Sequence, residues 1–192
     1  MRPVYYLGLS YLALCAVLLL RSPSSTILVL EHPAPPERIF VDGSGAAWFR
    51  SVRPSCNPVE VETVHRFRPP PVTDDGLGYS AACYALANKI EEARAIIRRV
   101  PAAEQWRAAG IVFDVAHPVA DAGDDRAAGP IMELVVEFWP NHYMALYHAG
   151  MSAYVLGKEA AARRYLQDFK TQYDQNDGWT RNATEVLERL GA

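Results

Sequence analysis

Apolar positions recur at helical spacing through the C-terminal part of the chain. Tyr143, Tyr147, Gly150 and Tyr154 fall at i, i+4, i+7 and i+11, and after Gly157 the residues Ala162, Leu166 and Phe169 fall at i, i+4 and i+7. This is the spacing of one helix face. It predicts two helices joined at Gly157, where a residue able to adopt positive φ ends the first of them.

The same stations return upstream. A shift of 34 residues carries Gly150 to Ala116, Gly157 to Gly123, Ala162 to Ala128, Leu166 to Met132 and Phe169 to Val135. A further shift of 35 reaches Ala81, Asn88, Ala93, Ile97 and Val100. Small residues stand where two helices come close, Gly or Asn stands at the turn, and apolar anchors keep the period. A chain built this way is a set of related helical hairpins.

A period of 34 with these stations resembles the tetratricopeptide repeat family over roughly residues 74–175. The small residue at the family's eighth place is met by Ala81, Ala116 and Gly150. The alanine at its twentieth place is met by Ala93, Ala128 and Ala162. Pro140, and four places early Pro101, stand for the closing proline. The family's opening Trp-x-x-Leu is missing; Leu146 and Ala149 occupy those places in the last unit. The resemblance implies an all-α, right-handed array of antiparallel helix pairs.

Flanking signals extend the array. Asn57-Pro58 opens a helix over "VEVETVHRF", which Pro69-Pro70-Pro71 stops. Trp179, Ala183, Val186 and Leu190 give a last amphipathic helix, expected to cap the open face of the final hairpin. The middle unit is irregular. Pro118 removes a backbone donor and clashes one turn back, so the helix through "EQWRAAGIVFDVA" is expected to end or kink near Ala116, leaving "HPVADAGDDRAAG" as a long turn.

The N-terminal end differs in kind. Val4–Leu20 is an apolar to weakly polar run of 17 residues between Arg2 and Arg21, at the lower edge of a membrane-spanning length. No small-x-small cleavage site follows it, so residues 1–21 are expected to be an uncleaved signal anchor, a cleaved signal being the alternative. Residues 22–45, rich in Pro, Ser and Gly, form a linker, and residues 46–192 the helical repeat domain. The expected protein is single-pass in the membrane, with its soluble domain exported to the periplasm or another extracytoplasmic space.

Charge narrows the partners. The chain of 192 residues carries 19 basic and 22 acidic side chains. Arg2 and Arg21 are its only charges before residue 31, so the remainder holds 17 basic and 22 acidic groups, a net of about −5. Such a body does not seek phosphate backbones, and nucleic acid is excluded as an expected partner. Beyond Cys15 in the apolar run, Cys56 and Cys83 make an even pair, open to a disulfide in an oxidising compartment or to two buried thiols.

Candidate chemistry is sparse. His117, Asp121, Asp124, Asp125 and Arg126 are the densest polar cluster. Imidazole with carboxylates can hold a metal or move protons. The acids lack the spacing of a calcium loop, and a zinc site would need ligands from elsewhere, such as His142 or His148. The plainer reading is a capped turn whose acids face a helix start. There is no phosphate-binding glycine loop, nucleophile elbow or dinucleotide fingerprint. Arg94, Arg98, Arg99, Arg163 and Arg164 are expected on solvated helix faces.

The family resemblance implies a different site: a groove lined by the first helix of each pair. Its positions fall on Phe113, His117 and Asp121 in the middle unit and on Met144, Tyr147, Met151 and Tyr154 in the last, with Tyr147 and Tyr154 serving equally well as core. The expected function is a membrane-tethered scaffold that binds a protein or peptide, with no cofactor, metal or catalysis of its own. A metal-dependent hydrolase built on His117, Asp121, Asp124 and Asp125 is the alternative.

Overall fold

The structure, a computed structural model, describes residues 44–191. The apolar run Val4–Leu20 and linker residues 22–43 lie outside them. Among the described residues the chain is all-α: α1 (Gly45–Val52), α2 (Val61–Phe67), α3 (Asp74–Leu86), α4 (Ile90–Ile97), α5 (Gln105–Asp121), α6 (Asp125–Phe138), α7 (Tyr143–Val155), α8 (Glu159–Gln172) and α9 (Gly178–Arg189), with no strand. None of these helices is long and apolar enough to cross a membrane.

Three helix pairs, α3/α4, α5/α6 and α7/α8, carry the recurring stations. Each first helix ends on a residue with positive φ: Asn88 at 56°, Gly123 at 81° and Gly157 at 72°. The three turns share one hydrogen-bond scheme. Asn88, Gly123 and Gly157 donate to the carbonyl three residues back, at 2.9, 2.9 and 3.0 Å. The next residues, Lys89, Asp124 and Lys158, donate to the carbonyl five back, at 2.9, 3.3 and 2.8 Å. This Schellman arrangement satisfies carbonyls that the helix end leaves free, and it requires the left-handed conformation that Gly and Asn supply.

The remaining stations are buried. Ala81, Ala93, Ile97 and Val100, then Ala116, Ala128, Met132 and Val135, then Ala162, Leu166 and Phe169 all lie in the core. Alanine where helices approach lets the larger anchors pack. Each fully buried large anchor stabilises the fold by about 1.5–3 kcal/mol.

The junctions between hairpins are not alike. From the first hairpin to the second, α3 packs directly on α5 while α4 touches it lightly; from the second to the third, α6 packs on α7. At the end, α9 rests on α8 and α7. Asp177 caps α9 by accepting from Trp179 N at 2.9 Å and Thr180 N at 3.2 Å. Ala183, Val186 and Leu187 of α9 bury with Leu146, Tyr147, Leu166 and Phe169.

Two features differ from the sequence reading. The helix α1 has no counterpart in it. Ser44 caps α1 by accepting from Ala47 N at 3.1 Å, and Trp48, Phe49 and Val52 bury against α3. The Trp48 indole donates to the Arg68 carbonyl at 2.7 Å. A disulfide joins Cys56, after α1, to Cys83 of α3, with Cα atoms 4.9 Å apart, inside the usual range.

The second difference is at Pro118. The helix α5 does not end near Ala116 but runs through the proline to Asp121. Pro118 forfeits the bond its own nitrogen would give to the Asp114 carbonyl, yet its carbonyl still accepts from Ala122 N at 3.2 Å. Burial of Ala116 and Ala120 on the same helix holds the last turn in place. The expected long turn shrinks to the few residues around Gly123.

Candidate functional site

Continuation of α5 past Pro118 fixes the geometry of the polar cluster. Phe113, His117 and Asp121 stand at i, i+4 and i+8, one turn apart on one helix face. The neighbouring wall comes from α7, which α6 holds in place. Gly129 of α6 makes this approach close: a Cβ there would collide with the Ser152 side chain. Ser152 is buried, and its hydroxyl donates to the Asp125 carbonyl at 2.6 Å. One turn before Ser152 on α7 is His148.

His148 is 4 % exposed. Its Nε2 lies 3.6 Å from Asp121 Oδ1, and His117 Nε2 lies 3.4 Å from the same oxygen. Both distances exceed an N–H···O hydrogen bond. Both Nε2 atoms are buried and have no hydrogen-bond partner. One ligand atom from each of His117, Asp121 and His148 falls within 4.8 Å of the others. Burial first, and then the proximity of His117, push the His148 pKa down to about 4, against the opposing pull of Asp121. His148 is therefore neutral at pH 7, and its approach to Asp121 is not an ion pair. Asp121, with its side chain 46 % exposed, opens the cluster to solvent.

Aromatic rings hold these imidazoles in orientation. Phe113 stacks on His117 with centroids 4.6 Å apart, and His142 leans on the same Phe113 at 4.1 Å. Trp179 of α9 meets His148 edge-on at 5.9 Å and Tyr147 at 5.0 Å. His142 itself caps α7, its Nδ1 accepting from Ala145 N at 3.2 Å, and it does not join the convergence. Nor do the other acids of the cluster. Asp124 caps α6 by accepting from Ala127 N at 3.2 Å. Asp125 follows in the first turn, and burial, with the neighbouring Asp124 charge, raises its carboxyl pKa.

The seven residues expected to line a groove divide by burial. Phe113 and Tyr147 are buried, Tyr147 lying between Phe169 and Trp179 and accepting from Asn182 Nδ2 at 3.4 Å. Met144, Met151, Tyr154 and His117 are half-buried, and Asp121 is exposed. Trp179, Ser152 and Gly129, which position the cluster, carry no signal of that role in the sequence, since each acts through a partner distant in the chain.

Two other places bring polar groups together. His65 Nδ1 lies 2.8 Å from the Val61 carbonyl and Nε2 lies 2.9 Å from Ser80 Oγ. The carbonyl can only accept, so Nδ1 carries the proton and Nε2 accepts from the serine. Ser80 is buried, which makes the pair a core hydrogen bond rather than a nucleophile with access to substrate. The second helices α4, α6 and α8 form a cleft of about 560 Å³, lined by charges of both signs including Glu91, Arg94, Glu133, Glu137, Arg164 and Asp168. Arg94 in its wall is engaged: it donates to Glu137 at 2.7 Å, and Arg98, outside the cleft, donates to the same carboxylate at 3.0 Å. Arg94 and Arg98 thus tie α4 to α6, and Arg163 of α8 donates to the Leu190 carbonyl past α9, rather than simply facing water.

Comparison with protein-family models, curated proteins and solved structures returns no match for this chain.

Proposed function

We propose that residues 46–192 form a tetratricopeptide-like array of helical hairpins that binds a protein or peptide partner and does no chemistry of its own. The observation that carries this reading is the threefold recurrence of one turn geometry, at Asn88, Gly123 and Gly157, with buried alanine and apolar anchors at matching stations. Stacked hairpins present the side chains of successive first helices along one side. Here that side offers His117, Asp121, Met144, Met151 and Tyr154 around the buried Phe113 and Tyr147. Methionine and tyrosine adapt to varied apolar partners while keeping polar reach. Under the same proposal Val4–Leu20 tethers the array to a membrane, and the domain works in an exported compartment, which suits the Cys56–Cys83 disulfide.

The test is affinity capture with the detergent-solubilised full chain, comparing wild type with Met151→Glu and Tyr154→Ala, and with Arg164→Glu on the second-helix side as control. The expected result is a saturable partner lost in the first two variants and kept in the third. A captured set unchanged by the groove substitutions sinks the proposal.

The alternative, a metal-dependent hydrolase, draws on the convergence of His117 and Asp121 with His148. Asp124 and Asp125 support α6 in this arrangement. Turnover of a model ester or peptide that survives chelation would count against that alternative.

A further inference from the structure

We propose that His117, Asp121 and His148 form a binding site for one divalent transition-metal ion of the zinc type, bridging the second and third hairpins.

The donor set comes first. Two imidazoles and one carboxylate match zinc and its neighbours, whereas calcium and magnesium take oxygen ligands. Zinc bonds of about 2.0–2.1 Å in a tetrahedron place ligand atoms about 3.3 Å apart. The His117–Asp121 and His148–Asp121 separations, 3.4 and 3.6 Å, already approach that edge. All three separations lie within 4.8 Å, so an ion draws the two imidazoles together from a spacing already close to that edge.

The second observation is independent of the spacing. The Nε2 atoms of both histidines are buried without a hydrogen-bond partner, and His148 is more than nine-tenths buried. An unpartnered buried polar atom is costly, and here two such atoms flank one carboxylate oxygen. A cation between the three groups gives each lone pair a partner at once.

The surrounding residues keep the ligands in place, as the outer partners of metal ligands do. Phe113 stacks on His117, Trp179 meets His148 edge-on, and Ser152 and Gly129 fix the distance between α7 and α6. Three protein ligands leave a fourth position on the solvent side, next to Asp121, for water or a partner's donor group. The site does not depend on whether the array binds proteins or hydrolyses a substrate.

The experiment uses tag-free full-length chain in detergent, stripped with a chelator and titrated with Co²⁺ and then Zn²⁺. One equivalent of Co²⁺ is expected to give the visible ligand-field bands of a low-coordinate site. One equivalent of Zn²⁺ should abolish them, and Mg²⁺ or Ca²⁺ should not. At about 100-fold excess over Kd, Zn²⁺ should raise the melting temperature by roughly 5–10 °C. Asp121→Asn, at an exposed position that leaves the fold intact, should weaken Zn²⁺ by more than the ~100-fold typical at most of outer-shell partners. His148→Gln should do the same, and Asp124→Asn should bind as wild type. Folded wild-type chain that takes up no Co²⁺, or equal losses in Asp121→Asn and Asp124→Asn, would overturn the proposal.

Discussion

The guanidinium of Arg163, on α8, donates to the Leu190 carbonyl just past α9, from Nε at 3.1 Å and from Nη2 at 2.6 Å. Leu190 is the C-cap of the last helix, where a carbonyl has no intrahelical donor. A cation at this end also suits the helix dipole. Replacing Arg163 by Met keeps the aliphatic stem and removes both bonds. The expected loss is about 1–2 kcal/mol, read by denaturant melts, with faster amide exchange confined to α9. Unchanged exchange in α9 would show that apolar packing alone holds the helix.

The disulfide between Cys56 and Cys83 closes a separation of 27 residues. Loop-closure entropy for a loop of that size corresponds to about 3–4 kcal/mol. Cys56→Ser with Cys83→Ala, or reductant added to wild type, is expected to lower stability by about that amount and leave helix content unchanged. A thiol count after denaturation without reductant checks the bond directly. Reactive thiols at both positions would refute it.

Gly129 of α6 lies directly against the Ser152 side chain of α7. Gly129→Ala drives a methyl into the Ser152 side chain and is expected to cost about 1–3 kcal/mol through overpacking, despite alanine's better helix propensity. Adding Ser152→Gly should restore part of the loss, and a double-mutant cycle by thermal melts measures the coupling. Additive effects would place the strain elsewhere.

His65 gives a pH dependence. Burial lowers its pKa from the ordinary 6.5, more than the Val61 carbonyl and the Glu62 charge raise it. The facing groups are Ser80, Tyr84, Glu62 and Trp48. Because the folded value is the lower one, the unfolded chain binds the proton first as pH falls. The stability His65 contributes is therefore complete above about pH 6.5 and is lost on acidification through the folded pKa. Melts at pH 7.5 and 5 should show a steeper acid loss in wild type than in His65→Phe. Equal slopes would assign the acid sensitivity to other groups.

Much of this fold was legible because its turns are chemical. Asn88, Gly123 and Gly157 announce positive φ in any context, and alanine spaced between them marks close helices. The helix α1 was harder to read, since its eight residues make too short a stripe to show a period, and its stability comes from Trp48 meeting the distant Arg68 carbonyl and α3. Pro118 misled for a related reason. Its local cost is real, but the buried faces of Ala116 and Ala120 on either side outweigh it.

The polar cluster was legible by half. His117 and Asp121 stand close in sequence, and only the helix through Pro118 puts them on one face. His148 was visible as a distant histidine, but its aim toward Asp121 depends on the α6–α7 approach set by Gly129 and Ser152. The burial of Tyr147 likewise depends on where α9 comes to rest, which no spacing within α7 encodes.

Packed helices open most easily at the edges of a folded region, where an element has few neighbours. Here both edges of the described residues are pinned. The Cys56–Cys83 bond holds the segment before the first hairpin, and Arg163 clasps the last helix. Fraying then loses its usual starting points, and the weakest place moves inward, to the turn at Gly123 beside a helix already short of one hydrogen bond. Amide exchange that begins in the middle of residues 44–191 rather than at their edges would be the signature of such a clamped domain.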